Sequence, residues 1–523
     1  GEVYDFTLCM PRTSMYIDCM GLFSDAERRF LTAVARLGYS NPFLKERIEL
    51  ERIALGKQFV PGEAVWSAPV TEHGATHANV VRIQARLDPM IERVRKRLDA
   101  AAAAEPADLA IYEECVHQMI YYRYNLQLEG AGGNGRGNWS FYRDFAADWR
   151  HYLEIPGVHI ETALDPHHVF ACFRQLVRAF RHIFYSIIGN SMPAARLRAA
   201  VWQSVFTHDM RRYRRTMYAR MRDFPTLITG PSGTGKELVA RAIAGSRYVP
   251  FDPKRMEFAD PAKEFFFPVN LAALSPTLIE SELFGHRRGA FTGAIEDRKG
   301  WLEACPPTGT VFLDELGEMD LSIQVKLLRV METRRFSAVG DTAPREFSGK
   351  LIAATNRDLP VEIRAGRFRE DLYYRLCADQ IHTPSLHDQV VDSPELIDDL
   401  LVYMVRRSVG DEAERVMPEV RDWVRTNLPA DYAWPGNYRE LEQCVRNIVI
   451  HGSYHPLESG APAAEDAFFL QFRRGELTAE DVLAHYAAVV YRQAGSYEEA
   501  ARRLGLDRRT VKAKVEAFLQ RSL

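Results

Sequence analysis

Three textures of apolar and polar positions follow one another along the chain. Up to about residue 185 the apolar positions recur at helical spacing and are rich in aromatics. Met90, Ile91, Val94 and Leu98 share one face, and Val169, Phe173, Leu176, Val177, Phe180 and Phe184 repeat the pattern. Asp88-Pro89 and Asp165-Pro166 each read as a helix start: Asp suits the N-cap, and a proline at the first helical position lacks only an N–H that has no partner there. From Ile187 the texture changes to short β-branched runs alternating with helical ones, the pattern of a parallel α/β sheet. Beyond a Pro- and Gly-containing link the last residues form a few short helical periods. The division this predicts is 1–185 mainly helical, 186–385 an α/β core, 386–455 a helical lid, 456–475 a linker, and 476–523 a small all-α unit.

Composition narrows the picture little. The 523 residues are 46% hydrophobic and 26% charged with a formal charge of −3, ordinary for a globular chain of about three domains. A nucleic-acid surface must therefore be local. Seven scattered cysteines without a C-x-x-C pair fit a reduced compartment and no structural zinc. No apolar run approaches the eighteen or so residues of a membrane span, and the start, with Glu2 and Asp5, lacks the basic and apolar regions of a signal peptide. A cytoplasmic location is expected.

The chemistry concentrates in the middle. The strand-like Thr226-Leu-Ile-Thr229 runs into Gly230, Pro231, Ser232, Gly233, Thr234, Gly235, Lys236 and Glu237, and a helical run follows. Glycines turn the backbone N–H groups inward, the helix N-terminus adds partial positive charge, and Lys236 reaches the terminal phosphates of a nucleotide. Glu237 stands where Ser or Thr usually serves magnesium. A second strand, Gly309-Thr-Val-Phe-Leu-Asp-Glu315, ends in two acids. Asp314 suits holding Mg2+ through water, and Glu315 suits orienting the attacking water. A third, Lys350-Leu-Ile-Ala-Ala-Thr-Asn356, ends in an amide able to read the γ-phosphate, and the arginine-dense stretch 366–375 follows.

Elsewhere alternatives stay open. The glycine-rich 129–138 reads as a loop, having neither the strand nor the lysine of a phosphate site. His167-His168 read as packing or surface residues. Tyr121-Tyr-Arg-Tyr124 and Trp139-Ser-Phe-Tyr142 suit an aromatic core or a ligand pocket. Arg211-Arg-Tyr-Arg-Arg215 suits a solvated helix or one pairing with an acidic neighbouring subunit better than it suits nucleic acid. At the C-terminal end Thr478 and Ser496 cap helices, Gly505-Leu-Asp507 makes a turn, and Val511, Val515 and Phe518 face inward. Arg508, Arg509, Thr510, Lys512 and Lys514 then face outward, as on the second helix of a helix-turn-helix reading a DNA major groove.

These motifs together resemble the bacterial enhancer-binding proteins, the AAA+ activators of sigma-54 RNA polymerase. The resemblance rests on 230–237, Glu280-Ser-Glu-Leu-Phe-Gly-His286, the hexapeptide Gly289, Ala290, Phe291, Thr292, Gly293 and Ala294, the Asp314-Glu315 strand, Ala354-Thr-Asn356, Phe368-Arg-Glu-Asp-Leu-Tyr-Tyr-Arg375 and Trp434-Pro-Gly-Asn-Tyr-Arg-Glu-Leu441. It implies an ATPase using ATP and Mg2+ in a self-associated ring of hexamer type, and it covers about Ile187 to Ile450. It further implies Lys236 as phosphate ligand, Asp314 as magnesium-site acid, Glu315 as catalytic base held in check by Asn270, and Asn356 as first sensor. Arg369 and Arg375 become fingers reaching a neighbour's ATP, and Arg439 the second sensor. The hexapeptide would touch sigma-54, and the C-terminal unit resembles a Fis-type domain binding inverted repeats in enhancer DNA. The chain departs from the family at Pro231, at Leu271, at an insertion over 248–266 and at His387-Asp-Gln-Val390. A regulator or repressor whose ATPase serves a role without sigma-54 is the alternative; the intact hexapeptide and arginines argue against it. No phosphoacceptor pattern marks residues 1–185.

Overall fold

The computed structural model describes residues 22–61, 78–100, 104–131, 137–160, 164–259, 265–429, 431–456, 472, 475 and 477–521. Cys9, Cys19, the middle of the 129–138 loop and most of the 456–475 link lie outside the described residues. Two compact units result, 1–452 and 453–523.

The first unit is built on five parallel strands: β1 (Thr226–Thr229), β2 (Phe266–Asn270), β3 (Thr310–Asp314), β4 (Lys350–Thr355) and β5 (Gln380–His382), in spatial order β5-β1-β4-β3-β2. Alternate side chains of each strand feed two cores. Ile228, Phe266, Phe312, Ile352 and Ile381 go to one face, and Leu227, Phe267, Val311, Leu313 and Leu351 to the other. Burial on both faces is why these strands read as continuous apolar runs. The fold is thus an α/β core with a parallel sheet, preceded by a mainly helical region and followed by a helical lid and a small all-α unit.

The N-terminal region consists of α1 (Asp25–Tyr39), α2 (Lys45–Leu55), α3 (Ala78–Ala100), α4 (Pro106–Gly130), α5 (Tyr142–Leu153) and α6 (Pro166–Ser186). Ser24 and Glu27 close a capping box that starts α1. Asp165-Pro166 does open α6, but Asp88-Pro89 opens nothing: Pro89 lies inside α3. The cost of an interior proline, about 3 kcal/mol, is outweighed because the apolar face continues upstream. Ile83, Leu87, Met90, Ile91, Val94 and Leu98 are all buried, each contributing roughly 1.5–3 kcal/mol.

Helix α6 belongs to two cores. Its Val169, Phe170 and Phe173 pack in the N-terminal cluster, while Ala179 and Ile183 pack on the sheet with α7 (Met192–Phe206) and the helix after β1, α9 (Lys236–Gly245). A Cβ on Gly245 would lie 2.5 Å from the His182 ring, so α6 and α9 approach through a glycine. Between α7 and β1 runs α8 (Met210–Arg215). The segment 248–266 contains a hairpin, Phe251–Asp252 with Glu257–Phe258, and it inserts into the N-terminal cluster. Phe251 lies 4.7 Å from the Tyr142 ring, Phe258 4.9 Å from Trp139, and Arg174 caps Phe258 at 4.0 Å.

The lid consists of the helices Leu386–Asp392, Leu396–Val409, Ala413–Asn427 and Asn437–His451. In the second unit, helices Ala479–Ala494, Tyr497–Leu504 and Arg508–Arg521 enclose Ala487, Val490, Ala500, Val511 and Val515. Among the described residues no helix is long and apolar enough to cross a membrane.

Candidate active site

Parallel pairing brings the strand ends to one edge. Thr229 is level with Thr355 and with His382, and Asn270 is level with Asp314. The loop 230–235 leaves β1 at this edge and α9 begins at Lys236. Gly230, Gly233 and Gly235 have φ of 143°, 77° and 86°, a region costly for other residues. Space adds a second constraint at two of them. A Cβ on Gly230 would lie 2.2 Å from Thr383 Oγ1, and one on Gly233 2.3 Å from the Gly436 carbonyl.

Lys236 Nζ donates to the Gly230 and Pro231 carbonyls at 3.0 Å each. Burial lowers its pKa, against the opposing fields of Glu315 and Asp314. Burial likewise raises the Asp314 carboxyl, although the Glu315 N–H donates to it at 3.1 Å and Lys236 stands near. Glu315 has φ 53°, a left-handed conformation that costs a non-glycine residue about 1–2 kcal/mol. The structure holds that strain at the exit of β3, where two acids face the lysine. A glycine cradle at a helix N-terminus, a buried lysine and an opposed acid pair form a donor set that fits a nucleotide triphosphate with Mg2+. Glu237 instead pairs with Arg241 at 2.8 Å.

Other expected site residues are placed as follows. The Asn270 amide oxygen accepts from Ala272 N–H at 3.0 Å, one strand from Glu315. Asn356 is exposed just past β4. Arg439 donates to Ser232 Oγ at 3.2 Å, tying the lid to the loop. Among the described residues Arg369 and Arg375 make no hydrogen bond or ion pair with the loop 230–237: Arg369 is clamped by Asp371 at 2.6 Å, and Arg375 is exposed.

Sequence reasoning missed the residues that shape the cradle. Thr383, buried at the end of β5, meets Thr234 Oγ1 at 2.7 Å and donates to Thr229 O at 3.2 Å. Asn437, at φ 54° and buried, donates to Ser232 O at 2.9 Å and accepts from Leu386 N–H at 2.7 Å. Tyr438 N–H donates to Gly233 O at 3.1 Å. A left-handed Asn after Pro-Gly is the one local signal for this contact. Gly189-Asn-Ser191 joins the lid as well: Ser393 donates to Asn190 at 3.0 Å, and Met192 N–H to Asp392 at 2.7 Å.

The hexapeptide forms a turn between the short strands Gly285–His286 and Arg298–Lys299. Gly289 and Gly293 have φ of 81° and 102° with open space where a Cβ would stand. Gly289 N–H donates to Ala294 O at 2.9 Å, closing the loop. Phe291 is half-buried edge-on to His286 at 5.0 Å, and Thr292 is exposed. Beside it Ile295 is 82% exposed, an apolar side chain that sequence reasoning passed over.

In the second unit Asp507 accepts from Arg509 N–H at 2.8 Å and Thr510 N–H at 3.0 Å, starting the last helix. Arg508, Arg509 and Lys512 are exposed; Thr510 is half-buried, and Lys514, also half-buried, pairs with Glu480 at 2.8 Å. In Arg211–Arg215, Arg214 is buried against Glu114 of α4 and Arg211 pairs with Asp209. His168 packs against Tyr248 and Arg214 O. No group of three or more metal-ligating side chains occurs among the described residues.

Comparison with known proteins agrees with this geometry. Residues 205–382 match the Sigma-54 interaction domain family. The chain is 45% identical over 223 residues to the regulatory protein LuxO of Vibrio parahaemolyticus, covering 43% of this chain and 45% of that protein. It is 43% identical over 225 residues to the Nif-specific regulatory protein of Azotobacter vinelandii, covering 43% and 39%. With the transcriptional regulatory protein ZraR of Klebsiella oxytoca it shares 39% over 307 residues, covering 56% and 63%. The chain thus spans between about two fifths and three fifths of these relatives. The structure of NtrX from Brucella abortus in complex with ATP aligns over 67% of this chain and 74% of that one, at 24% identity and a TM-score of 0.38. Residues 205–382, which carry the glycine cradle and the acid pair, thus match the Sigma-54 interaction domain family, and the chain is similar to bacterial regulatory proteins over that region.

Proposed function

We propose that the protein is a sigma-54-dependent transcriptional activator that binds enhancer DNA and uses ATP hydrolysis to remodel the closed complex of sigma-54 RNA polymerase. The observation that carries this reading is the meeting of Lys236, Asp314, Glu315 and Arg439 in a domain that also bears the Gly289–Ala294 loop.

Lys236 and the N–H groups of 232–237 would hold the β- and γ-phosphates, and Asp314 would hold Mg2+. Mg2+, when bound, supplies positive charge to the phosphoryl oxygens. Glu315 orients the attacking water, and Asn270, level with Asp314 on the next strand, restrains it. Asn356 reads the γ-phosphate from β4. Arg439 reports the nucleotide to the lid, since it already bonds Ser232.

Arg369 and Arg375 act in trans on a neighbour's ATP, so turnover requires a ring, which we propose is a hexamer. The mobile hexapeptide presents Phe291 and Thr292 to sigma-54. Arg508, Arg509, Thr510, Lys512 and Lys514 line the DNA side of a Fis-type helix-turn-helix.

Steady-state hydrolysis with separate nucleotide binding tests this division. Arg369→Ala should retain ATP binding and lose about 10³–10⁵ in turnover. Unimpaired turnover rejects the trans assignment, and loss of binding as well shows that Arg369 holds the nucleotide of its own chain.

A further inference from the structure

Gln324 is fully buried in the first turn of the helix Leu321–Thr333, between the apolar Ile323 and Leu327 of the same core. A buried amide is costly unless it is bonded, and both ends of this one meet backbone outside its helix. The nitrogen donates to the Met319 carbonyl at 2.8 Å and to the Arg367 carbonyl at 3.1 Å. The oxygen accepts from the Arg369 N–H at 2.9 Å. Two acceptors facing the nitrogen and one donor facing the oxygen fix the amide's orientation.

The segments that the amide joins give the contact its meaning. Met319 closes the tight turn Leu316–Glu318 that leaves the left-handed Glu315. Within that turn Glu318 N–H donates to Glu315 O at 3.0 Å, and Met319 N–H donates to Leu316 O at 3.1 Å. On the other side Arg369 immediately precedes the helix Glu370–Leu376, which carries Arg375. One side chain thus fastens the turn behind the acid pair to the start of the arginine-bearing helix.

Packing stiffens the link. Met319, Ile323, Leu327, Phe368, Leu372 and Leu376 share one buried cluster, and a close-packed interior passes displacement on. A second route crosses the surface from Glu318 through Arg357 and Glu362 to Arg367. Its ion pairs are screened, with Arg367 57% exposed, and they tolerate play that three buried, directional hydrogen bonds do not.

We propose that Gln324 is a positioning residue for the arginine finger: it registers Arg369, which acts on a neighbour's ATP, to the acid turn of its own protomer. Fully buried, Gln324 touches no nucleotide itself, and its role rests on the trans assignment of Arg369.

Gln324→Met keeps most of the volume and removes all three bonds. ATP affinity, read with a fluorescent ATP analogue, should stay within about twofold of wild type. In steady-state hydrolysis kcat should fall at least about tenfold, since misplacing a catalytic group by about 1 Å can cost up to about 10²-fold. Mixed rings then locate the defect. Glu315→Gln protomers bind ATP without hydrolysing it and offer an intact finger. An equal mixture with Gln324→Met should therefore turn over faster than the sum of the two variants assayed apart, as should the control mixture of Glu315→Gln with Arg369→Ala. Should Gln324→Met fail to fold by circular dichroism, the isosteric Gln324→Glu, which sets a carboxylate oxygen against two carbonyls, carries the same expectations. Undiminished kcat in a folded variant, ATP binding lost along with turnover, or no recovery in the Gln324→Met mixture when the control recovers each overturns the proposal. If neither mixture recovers, the trans assignment itself falls, and the role given to Gln324 falls with it.

Discussion

Replacing Arg214 by methionine gives a sharp test of how the N-terminal region is joined to the ATPase. Arg214 Nη2 donates to both oxygens of Glu114, at 2.7 and 2.6 Å, with the two side chains 5% and 7% exposed. Arg214→Met keeps most of the side-chain volume and leaves Glu114 buried beside Glu113 with no countercharge. Breaking a buried pair from one side costs about 3–5 kcal/mol, whereas removing both charges is often near neutral. The double variant Arg214→Met/Glu114→Leu should therefore recover most of the loss, a coupling of about 3 kcal/mol.

The loss should also depend on pH. In the native protein burial alone would raise the Glu114 carboxyl, but the Arg214 charge, the bonds to it and the neighbouring His117 ring outweigh burial and hold it below the usual range. A depressed acid contributes stability that is present above its unfolded pKa and lost as pH falls through its folded pKa. Without Arg214 burial acts unopposed, the folded pKa rises, and stability is lost as pH rises. The single variant should thus be hurt more at pH 8 than at pH 5. Urea unfolding at both pH values, with amide exchange in α4 and α8 as the local readout, measures this. A loss under about 1 kcal/mol at pH 8, a double variant as damaged as the single, or no pH dependence would refute the reasoning.

Two further outcomes follow from the same geometry. Gly233→Ala, placing a Cβ 2.3 Å from Gly436 O at φ 77°, should push the lid off the phosphate loop and weaken ATP binding at least tenfold, about 1.4 kcal/mol, in a titration with a fluorescent ATP analogue; wild-type affinity would contradict that contact. Glu113 is raised to about 7, first by burial and then by the Glu114 charge, so the native state prefers it protonated and stability falls as pH rises through that value. Glu113→Gln removes this penalty of up to about 3 kcal/mol, so its melting temperature relative to wild type should climb from pH 5 to pH 8, and an offset equal at both would count against it.

The phosphate cradle was legible because backbone geometry itself demands glycines at 230, 233 and 235, and a sequence displays them. The acid pair was legible for a similar reason, since a buried strand ending in Asp314-Glu315 has few other uses. What closes the cradle was not. Asn437 meets Ser232 across 205 positions of chain, and a contact between distant segments leaves no periodicity in either. The left-handed turn at Glu315 is silent too, because nothing in a glutamate announces positive φ. In the N-terminal third, Pro89 misled because a strong local signal was read without the apolar face that overrides it. The 248–266 segment showed only as extra length; its use, seating Phe251 and Phe258 among Tyr142, Trp139 and Phe170, depends on helices a hundred residues upstream. At the last helix, alternation gave the inward positions Val511 and Val515 but not the pairing of Lys514 with Glu480.

We propose that ATP turnover at Lys236, Asp314 and Glu315 drives sigma-54 polymerase through the loop bearing Phe291 and Thr292. Permanganate footprinting of a sigma-54 promoter, with holoenzyme, ATP and either wild type or Thr292→Ala, tests it most directly. Promoter melting should require ATP and the wild-type loop, and Thr292→Ala should hydrolyse ATP at the wild-type rate without melting DNA. Melting that persists with Thr292→Ala, or that proceeds without ATP, would contradict the account.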